Sequence, residues 1–187
     1  MKHLAARMTA IQPFHVMALL ARARELEATG RSIVHMEIGE PDFVTPQPVI
    51  EAGMQALAQG RTHYTPAVGL PALRERIAAF YAGRYGVTIA PRRIVVTPGA
   101  SAALQLVMAV LVNPGDAVLV PSPSYPLFDH LARLDGIDAR PYALDGDTGW
   151  RIDLPTIESS PAPVRAVVVV HPNNPTGSFV HPDDRER

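Results

Sequence analysis

The feature that most constrains the fold is the alternation, in the second half of the chain, of short continuous apolar segments with segments of helical periodicity. We expect strands at residues 93–97, 117–121, 137–142 and 165–171. Helical spacing predicts helices over residues 101–112 and 125–134. Apolar strands separated by helices are typical of βαβ units, in which helices cover both faces of a mainly parallel sheet. The sequence therefore predicts an α/β fold.

The first half of the chain is less regular. Apolar spacing there predicts three helices, at residues 16–28, 46–58 and 70–85, and one short strand, at residues 33–38. Thr45 is the expected cap of the second helix, because a hydroxyl at that position accepts a hydrogen bond from the first turn. Residues 1–15 are expected to form an irregular arm.

Composition and charge exclude several classes of function. The formal net charge is −1 with no basic run, which argues against a nucleic-acid partner. The chain has no cysteine, and its seven histidines show no metal-ligand spacing, so we expect no disulfide and no metal site. The longest apolar stretch, residues 100–112, is too short to cross a bilayer, and no signal peptide is recognisable. We expect a soluble cytoplasmic protein without a membrane partner.

A possible anion site lies where the strand expected at residues 93–97 ends. Thr97-Pro98-Gly99-Ala100-Ser101 turns the chain on a glycine and begins a helix with small residues and a hydroxyl. Backbone N–H groups at a helix start, together with the helix dipole, attract anions. The alternative is an ordinary strand-to-helix turn with a helix cap. The segment lacks the glycines of a Walker or dinucleotide-binding loop.

Two further segments follow strands at the edge of the sheet where ligands bind in open α/β folds. Residues 171–177, HPNNPTG, bring two asparagines whose amides could donate to a ligand oxygen, or form a turn that only leaves the sheet. Tyr125 could stack on a planar ligand or cover the core. We interpret His171 as a core histidine at a strand end rather than as a ligand.

Taken in order, five segments resemble one family. They read IGEPDFVTP, GRTHYTPAVGLPALRERIAAFYAGRYGV, RIVVTPGASAALQL, PGDAVLVPSPSYP and HPNNPTG. From about residue 30 to 181 they resemble the N-terminal part of the class I/II pyridoxal-phosphate aminotransferases of fold type I, the aspartate-aminotransferase-like group. The resemblance implies residues 1–30 as an arm and helix on the small-domain side, and residues 31–187 as an incomplete large domain that binds pyridoxal 5′-phosphate.

The resemblance also implies roles for residues in the cofactor site. The turn formed by Gly99, Ala100 and Ser101 resembles the loop that binds the cofactor phosphate. Tyr125 matches the aromatic residue that stacks on the pyridine ring. Asn174 matches the asparagine that donates to the phenolic O3′ of the cofactor.

Two more residues have counterparts in the family. Gly39 matches the glycine beside the substrate carboxylate. Tyr64 resembles the tyrosine that reaches the phosphate of the neighbouring subunit's cofactor, so the family site is completed in a homodimer.

The activity implied is transfer of an amino group from an amino acid to a 2-oxo acid. Family members are about twice as long and carry a Schiff-base lysine after the Asn-Pro-Thr-Gly motif. The only lysine in the 187 residues is Lys2. We therefore expect this chain alone to be an inactive fragment without catalytic residues. The alternatives are a pyridoxal-phosphate lyase of the same fold, a non-catalytic remnant, or an effector-binding module.

Overall fold

A computed structural model of the chain describes residues 5–11, 15–161 and 163–186. These residues form two compact units, one made of Pro13–Thr97 and the other of the described residues in Met1–Gln12 and Pro98–Arg187. Lys2 lies outside the described residues. The domain boundary expected at residue 30 concerns the complete protein and stays a prediction.

The unit Pro13–Thr97 contains three helices close to their expected positions. They are α1 (His15–Ala28), α2 (Gln47–Ala58) and α3 (Pro71–Tyr85). The predicted cap at Thr45 is wrong, because Pro46 occupies the cap position of α2 and no side chain caps it. Pro48 lies in the first turn, where its restricted φ suits a helix and its missing N–H costs nothing.

Two strands predicted in this unit are also wrong. Residues 33–38 and 94–97 belong to no strand of the described chain, and Pro91–Arg93 forms a 3₁₀ turn. Backbone groups of residues 94–97 form hydrogen bonds outside any strand. Val96 N–H donates to Val68 O at 3.1 Å, and Ile94 O accepts from Arg74 Nε at 2.8 Å. A strand is defined by a paired neighbour, which apolar spacing does not report.

The second unit contains the sheet. Its elements are α4 (Ala100–Leu111), β1 (Ala117–Ser122), α5 (Leu127–Leu134), β2 (Asp138–Asp145), β3 (Arg151–Ile152), α6 (Leu154–Glu158), β4 (Val164–Val167) and α7 (Pro182–Arg185). The strand order is β3-β2-β1-β4. The central β1 is parallel to β2 and to β4, and only the short β3 is antiparallel. The predicted α/β fold with a mainly parallel sheet is confirmed.

The core lies on both faces of the sheet because alternate residues of β1 point in opposite directions. Val118 and Val120 pack with Met108 of α4 and Ala132 of α5 on one face. On the other face, Leu119 packs in a second cluster with Tyr142, Leu144, Ile152, Ile157 and Val164. β1 is therefore the buried centre of this unit.

Two element boundaries differ from expectation near the edge of the sheet. β4 ends at Val167, four residues before the expected His171, although Val168 N–H still donates to Leu119 O at 2.8 Å. The helix expected from Tyr125 begins at Leu127, after Pro126 at its cap position, so Tyr125 stays in the loop. No helix among the described residues is long and apolar enough to cross a membrane.

Candidate functional site

The carboxyl ends of β1 and β4 and the start of α4 lie at one edge of the sheet. β1 and β4 are parallel, so their carboxyl ends lie on the same side. A short connection joins α4 to β1, and Met108 near the end of α4 belongs to the same buried cluster as Val118 near the start of β1. The helix thus runs antiparallel to the strand, and its first residues lie toward the edge at which β1 ends.

The start of α4 turns on a glycine with positive φ. Gly99 is the cap residue, with φ 91° and ψ 169°, a conformation that residues with a side chain rarely adopt. Ala103 N–H donates to Gly99 O at 3.4 Å, so the N–H groups of Ala100 and Ser101 precede the first hydrogen bond within the helix. The Ser101 side chain is exposed. Backbone donors and a hydroxyl therefore lie together at the positive end of the helix dipole.

Tyr125 lies in the loop between β1 and α5. Its side chain is half-buried, and so is that of the preceding Ser124. The Ser124 hydroxyl donates to Asn173 Oδ1 at 3.0 Å. The loop that carries Tyr125 is therefore fastened to the segment that follows β4.

The segment after β4 carries two consecutive asparagines with opposite exposure. Asn173 is buried, with 5% of its surface exposed, whereas Asn174 is exposed. Asn173 N–H donates to Ser178 O at 2.8 Å, and Gly177 N–H donates to Asn173 O at 2.7 Å, which closes a tight turn. The turn presents the Asn174 amide at the edge of the sheet while Asn173 faces inward.

His171 differs from the prediction of a core histidine. It is exposed and lies beyond the end of β4. Its Nδ1 accepts a hydrogen bond from Val180 N–H at 3.0 Å, and its ring meets Phe179 edge-on at 5.1 Å. Because Nδ1 accepts, the neutral ring carries its proton on Nε2. His171 thus holds the returning chain at residues 179–180.

Asn173 is the residue that sequence reasoning missed. The motif shows two asparagines after a strand, and only Asn174 was assigned a role. Buried polar side chains are almost always hydrogen-bonded, so a second asparagine at the end of a buried strand signals a structural link. Its partners, Ser124 and Pro123, lie about fifty residues earlier and could not be read from spacing.

Gly39 and Tyr64 lie in the unit Pro13–Thr97. Gly39 is exposed and follows residues 33–38, which form no strand. Tyr64 is completely exposed, in a loop with Thr62, His63 and Thr65. The roles expected for Gly39 and Tyr64 stay predictions.

The residues at the sheet edge match the chemistry of pyridoxal phosphate. N–H groups and a hydroxyl at a helix start suit a dianionic phosphate. A tyrosine ring suits a planar heterocycle, and an exposed amide suits a phenolate oxygen because it can donate without adding charge. No group of three residues among the described histidines and carboxylates could hold a metal ion.

Comparison with known proteins identifies the family. A sequence profile described as "Aminotransferase class I and II" matches residues 31–186. The chain is 35% identical over 184 residues to the (5-formylfuran-3-yl)methyl phosphate transaminase of Methanocaldococcus jannaschii, covering 98% of this chain and 47% of that protein. It is 36% identical over 185 residues to the aspartate/prephenate aminotransferase of Thermus thermophilus, covering 98% of this chain and 48% of that protein.

Solved structures agree. The structure of the aspartate aminotransferase from Thermus thermophilus with maleate has a TM-score of 0.90 and 35% identity, over 100% of this chain and 49% of that chain. The chain thus spans about half the length of the relatives it matches. Enzymes of this group depend on pyridoxal phosphate. The chain therefore belongs to the class I and II aminotransferase family, and it corresponds to the N-terminal portion of the fold type I architecture.

Proposed function

We propose that these residues are the N-terminal portion of a pyridoxal-phosphate-dependent aminotransferase that moves an amino group from an amino acid to a 2-oxo acid. The observation that carries the proposal is the set of groups at the edge of the sheet. The start of α4, Tyr125 and Asn174 supply anion donors, an aromatic ring and an amide donor from three separate segments. Family membership makes this cofactor the expected ligand of such a set.

The phosphate would be held by the start of α4. The N–H groups of Ala100 and Ser101 and the Ser101 hydroxyl donate to phosphate oxygens, and the helix dipole adds about 0.3–1 kcal/mol. Hydrogen bonds to a charged group contribute about 1.5–3 kcal/mol each, so donors matter more than the dipole. Gly99 permits the backbone turn at this point.

The ring would be oriented by Tyr125 and Asn174. Tyr125 restricts tilting of the ring by stacking on one face, and Asn174 donates to O3′. When bound, the cofactor supplies an electron sink for the bond changes at the substrate's α-carbon. A donor at O3′ favours the ionised oxygen and so tunes the ring toward that role.

Two residues of the unit Pro13–Thr97 would contact the substrate and the second subunit. In the proposed enzyme, Gly39 lies beside the substrate carboxylate, and Tyr64 reaches the cofactor phosphate of the neighbouring subunit of a homodimer. The complete exposure of the Tyr64 side chain supports a contact with a neighbouring subunit. The substrates proposed are an amino acid and a 2-oxo acid.

The covalent and proton-transfer steps of the proposed reaction need a lysine amine. Lys2 is the only lysine in the 187 residues, and it lies close to the N-terminus. Positioning of a reacting group is worth about 7–11 kcal/mol of barrier, so the reactive lysine has to be held in the cofactor site. We therefore propose that the lysine belongs to the remainder of a longer protein and that these residues alone are inert.

An assay of the full-length protein tests the proposed reaction. The protein is supplied with pyridoxal phosphate, a panel of amino acids and either a 2-oxo acid or none. A new amino acid that forms only when the 2-oxo acid is present supports an aminotransferase. Release of ammonia without a 2-oxo acid would replace it with a lyase. Cofactor binding with neither activity would indicate a non-catalytic remnant or an effector-binding module.

A further inference from the structure

The side chain of Asn173 joins the two loops that carry Tyr125 and Asn174. Asn173 is buried, with 5% of its surface exposed. Its Oδ1 accepts from Ser124 Oγ at 3.0 Å, and its Nδ2 donates to Pro123 O at 3.1 Å. Residues that follow two different strands are therefore joined through a single carboxamide.

A third hydrogen bond ties the same carboxamide to its own turn. Asn173 Nδ2 donates to Thr176 Oγ1 at 2.8 Å, and that oxygen lies 2.7 Å from Ser178 Oγ. The backbone of Asn173 closes the turn through Ser178 and Gly177. Both hydrogens on Nδ2 are thus used, one toward each loop. The carboxamide therefore restricts movement of one loop relative to the other.

We propose that Asn173 is a positioning residue that sets the placement of the Tyr125 ring relative to the Asn174 amide, an inference that rests on the proposed function. Ser124 is adjacent to Tyr125 along the chain, and Asn173 is adjacent to Asn174. A shift in the bridge therefore moves the stacking ring and the O3′ donor relative to each other. Catalytic groups lose effectiveness when displaced by about 1 Å, so this link matters for ring binding.

The chemistry of the bridge requires an asparagine. It needs one acceptor, for the Ser124 hydroxyl, and two donors, for Pro123 O and Thr176 Oγ1. Aspartate would keep the acceptor but lose both donors and bury a charge beside a carbonyl oxygen. Alanine would remove all three hydrogen bonds and with them the link between the two loops.

The test compares ligands with and without the ring on the full-length protein freed of cofactor. Pyridoxamine 5′-phosphate is the ring-bearing probe because it binds without a covalent bond, and inorganic phosphate reports on the start of α4 alone. Dissociation constants are measured by calorimetry for the first and by competition for the second. The variants are Asn173→Ala, Ser124→Ala and the double variant, with Ser124→Thr to restore the hydroxyl.

Ser159→Ala is the matched control. The Ser159 hydroxyl donates to Thr156 O at 3.4 Å, within its own helical segment, and it is exposed. This variant therefore removes a hydroxyl of the same kind away from the edge of the sheet.

We expect Asn173→Ala and Ser124→Ala each to weaken the binding of pyridoxamine 5′-phosphate by about tenfold, the equivalent of about 1.4 kcal/mol. The double variant is expected to lose less than the product of the two losses, since both substitutions cut one bridge. Phosphate binding stays unchanged, Ser124→Thr retains affinity, and Ser159→Ala behaves as the parent. If Asn173→Ala does not fold, Ser124→Ala and Ser124→Thr provide the same comparison.

Three results would overturn the inference. Equal affinity of the parent and Ser124→Ala for pyridoxamine 5′-phosphate would show that the bridge does not position the ring. Equal losses for both ligands, or multiplicative losses in the double variant, would show only a general loosening of the edge. Absence of binding by the parent protein would instead contradict the proposed function, so the two failures are distinguishable.

Discussion

The hydroxyl of Tyr142 donates to the carbonyl oxygen of Val168 at 2.9 Å. Tyr142 lies in β2 and Val168 follows β4, and β1 runs between these two strands. Tyr142 is almost completely buried, and this burial raises the pKa of its phenol to about 12. One side chain thus holds the segment that leads to Asn173 against the sheet.

Replacing Tyr142 with phenylalanine removes this hydrogen bond and keeps the ring. We expect Tyr142→Phe to lower the free energy of unfolding by about 1 kcal/mol in urea titrations at neutral pH. In the parent, the unfolded phenol ionises near pH 10 while the folded one stays neutral, so stability declines between about pH 10 and 12. Tyr142→Phe should lack that part of the decline. Superimposable alkaline profiles of the two proteins would contradict this account.

His35 lies between two carboxylates in the other unit. Its Nδ1 is 2.6 Å from Glu37 Oε1, and its Nε2 is 2.9 Å from Glu27 Oε1. The hydrogen bond to Glu37, followed by that to Glu27, raises the pKa of His35 above 6.5. The contribution of protonated His35 to the stability of the fold is therefore fully present below about pH 6.5 and is lost as the pH rises through the raised pKa. The same contact lowers the pKa of Glu37 below 4.5, so it is also lost as acid protonates Glu37.

The prediction for His35 is checked by an NMR titration of its imidazole. Glu37→Gln is expected to bring the pKa of His35 back toward 6.5, because the main acceptor loses its charge. Glu51→Gln is the control, since Glu51 accepts from Gln47 on α2. A His35 titration that Glu37→Gln leaves unmoved would reject the contact.

Much of the architecture could be predicted because it is encoded locally. The periodicity of α1 and α3 placed these helices within one residue, and Gly86, with φ 67°, ends α3 in the left-handed conformation that glycine favours. The apolar segment of β1 was also predicted, since this strand is buried along most of its length at the centre of the sheet. In β2, which was predicted as well, only Tyr142 and Leu144 are buried.

The errors came from pairing and burial, which depend on distant residues. Residues 33–38 have strand-like composition, but no strand of the described chain pairs with them. Asn173 and Asn174 are identical in chemistry, and only the contacts of Asn173 with Ser124 and Pro123 separate the buried one from the exposed one. The resemblance pointed to Asn174, whereas the bridge through Asn173 depends on contacts that only the folded chain brings together.

Substitution of Ser101 tests the phosphate site. Ser101→Ala in the full-length protein is expected to weaken the binding of pyridoxal phosphate by about 1.5–3 kcal/mol, the contribution of one hydrogen bond to a charged group. Ser101 is exposed, so the free energy of unfolding without cofactor should be unchanged. Equilibrium dialysis measures the affinity, and an affinity equal to that of the parent would remove Ser101 from the phosphate site.

Substitution of Asn174 tests the O3′ contact. A donor at O3′ stabilises the ionised oxygen of the bound cofactor. Asn174→Ala is therefore expected to raise the pKa of the bound cofactor, which its absorption spectrum reports. The measurement is a spectrophotometric pH titration of the holoenzyme. Ser159→Ala, remote from the edge, serves as the control. A titration of Asn174→Ala that overlays the parent's would reject the role.

In the proposed enzyme, residues 1–187 hold the cofactor and the reactive lysine lies outside them. Borohydride reduction in the presence of pyridoxal phosphate, followed by peptide mapping by mass spectrometry, tests it on the 187-residue chain and on the full-length protein. We expect one stoichiometric pyridoxyl group in the full-length protein, on a lysine outside residues 1–187, and neither stoichiometric label nor turnover in the 187-residue chain. Stoichiometric labelling of Lys2 together with transaminase turnover by the 187-residue chain would contradict the account.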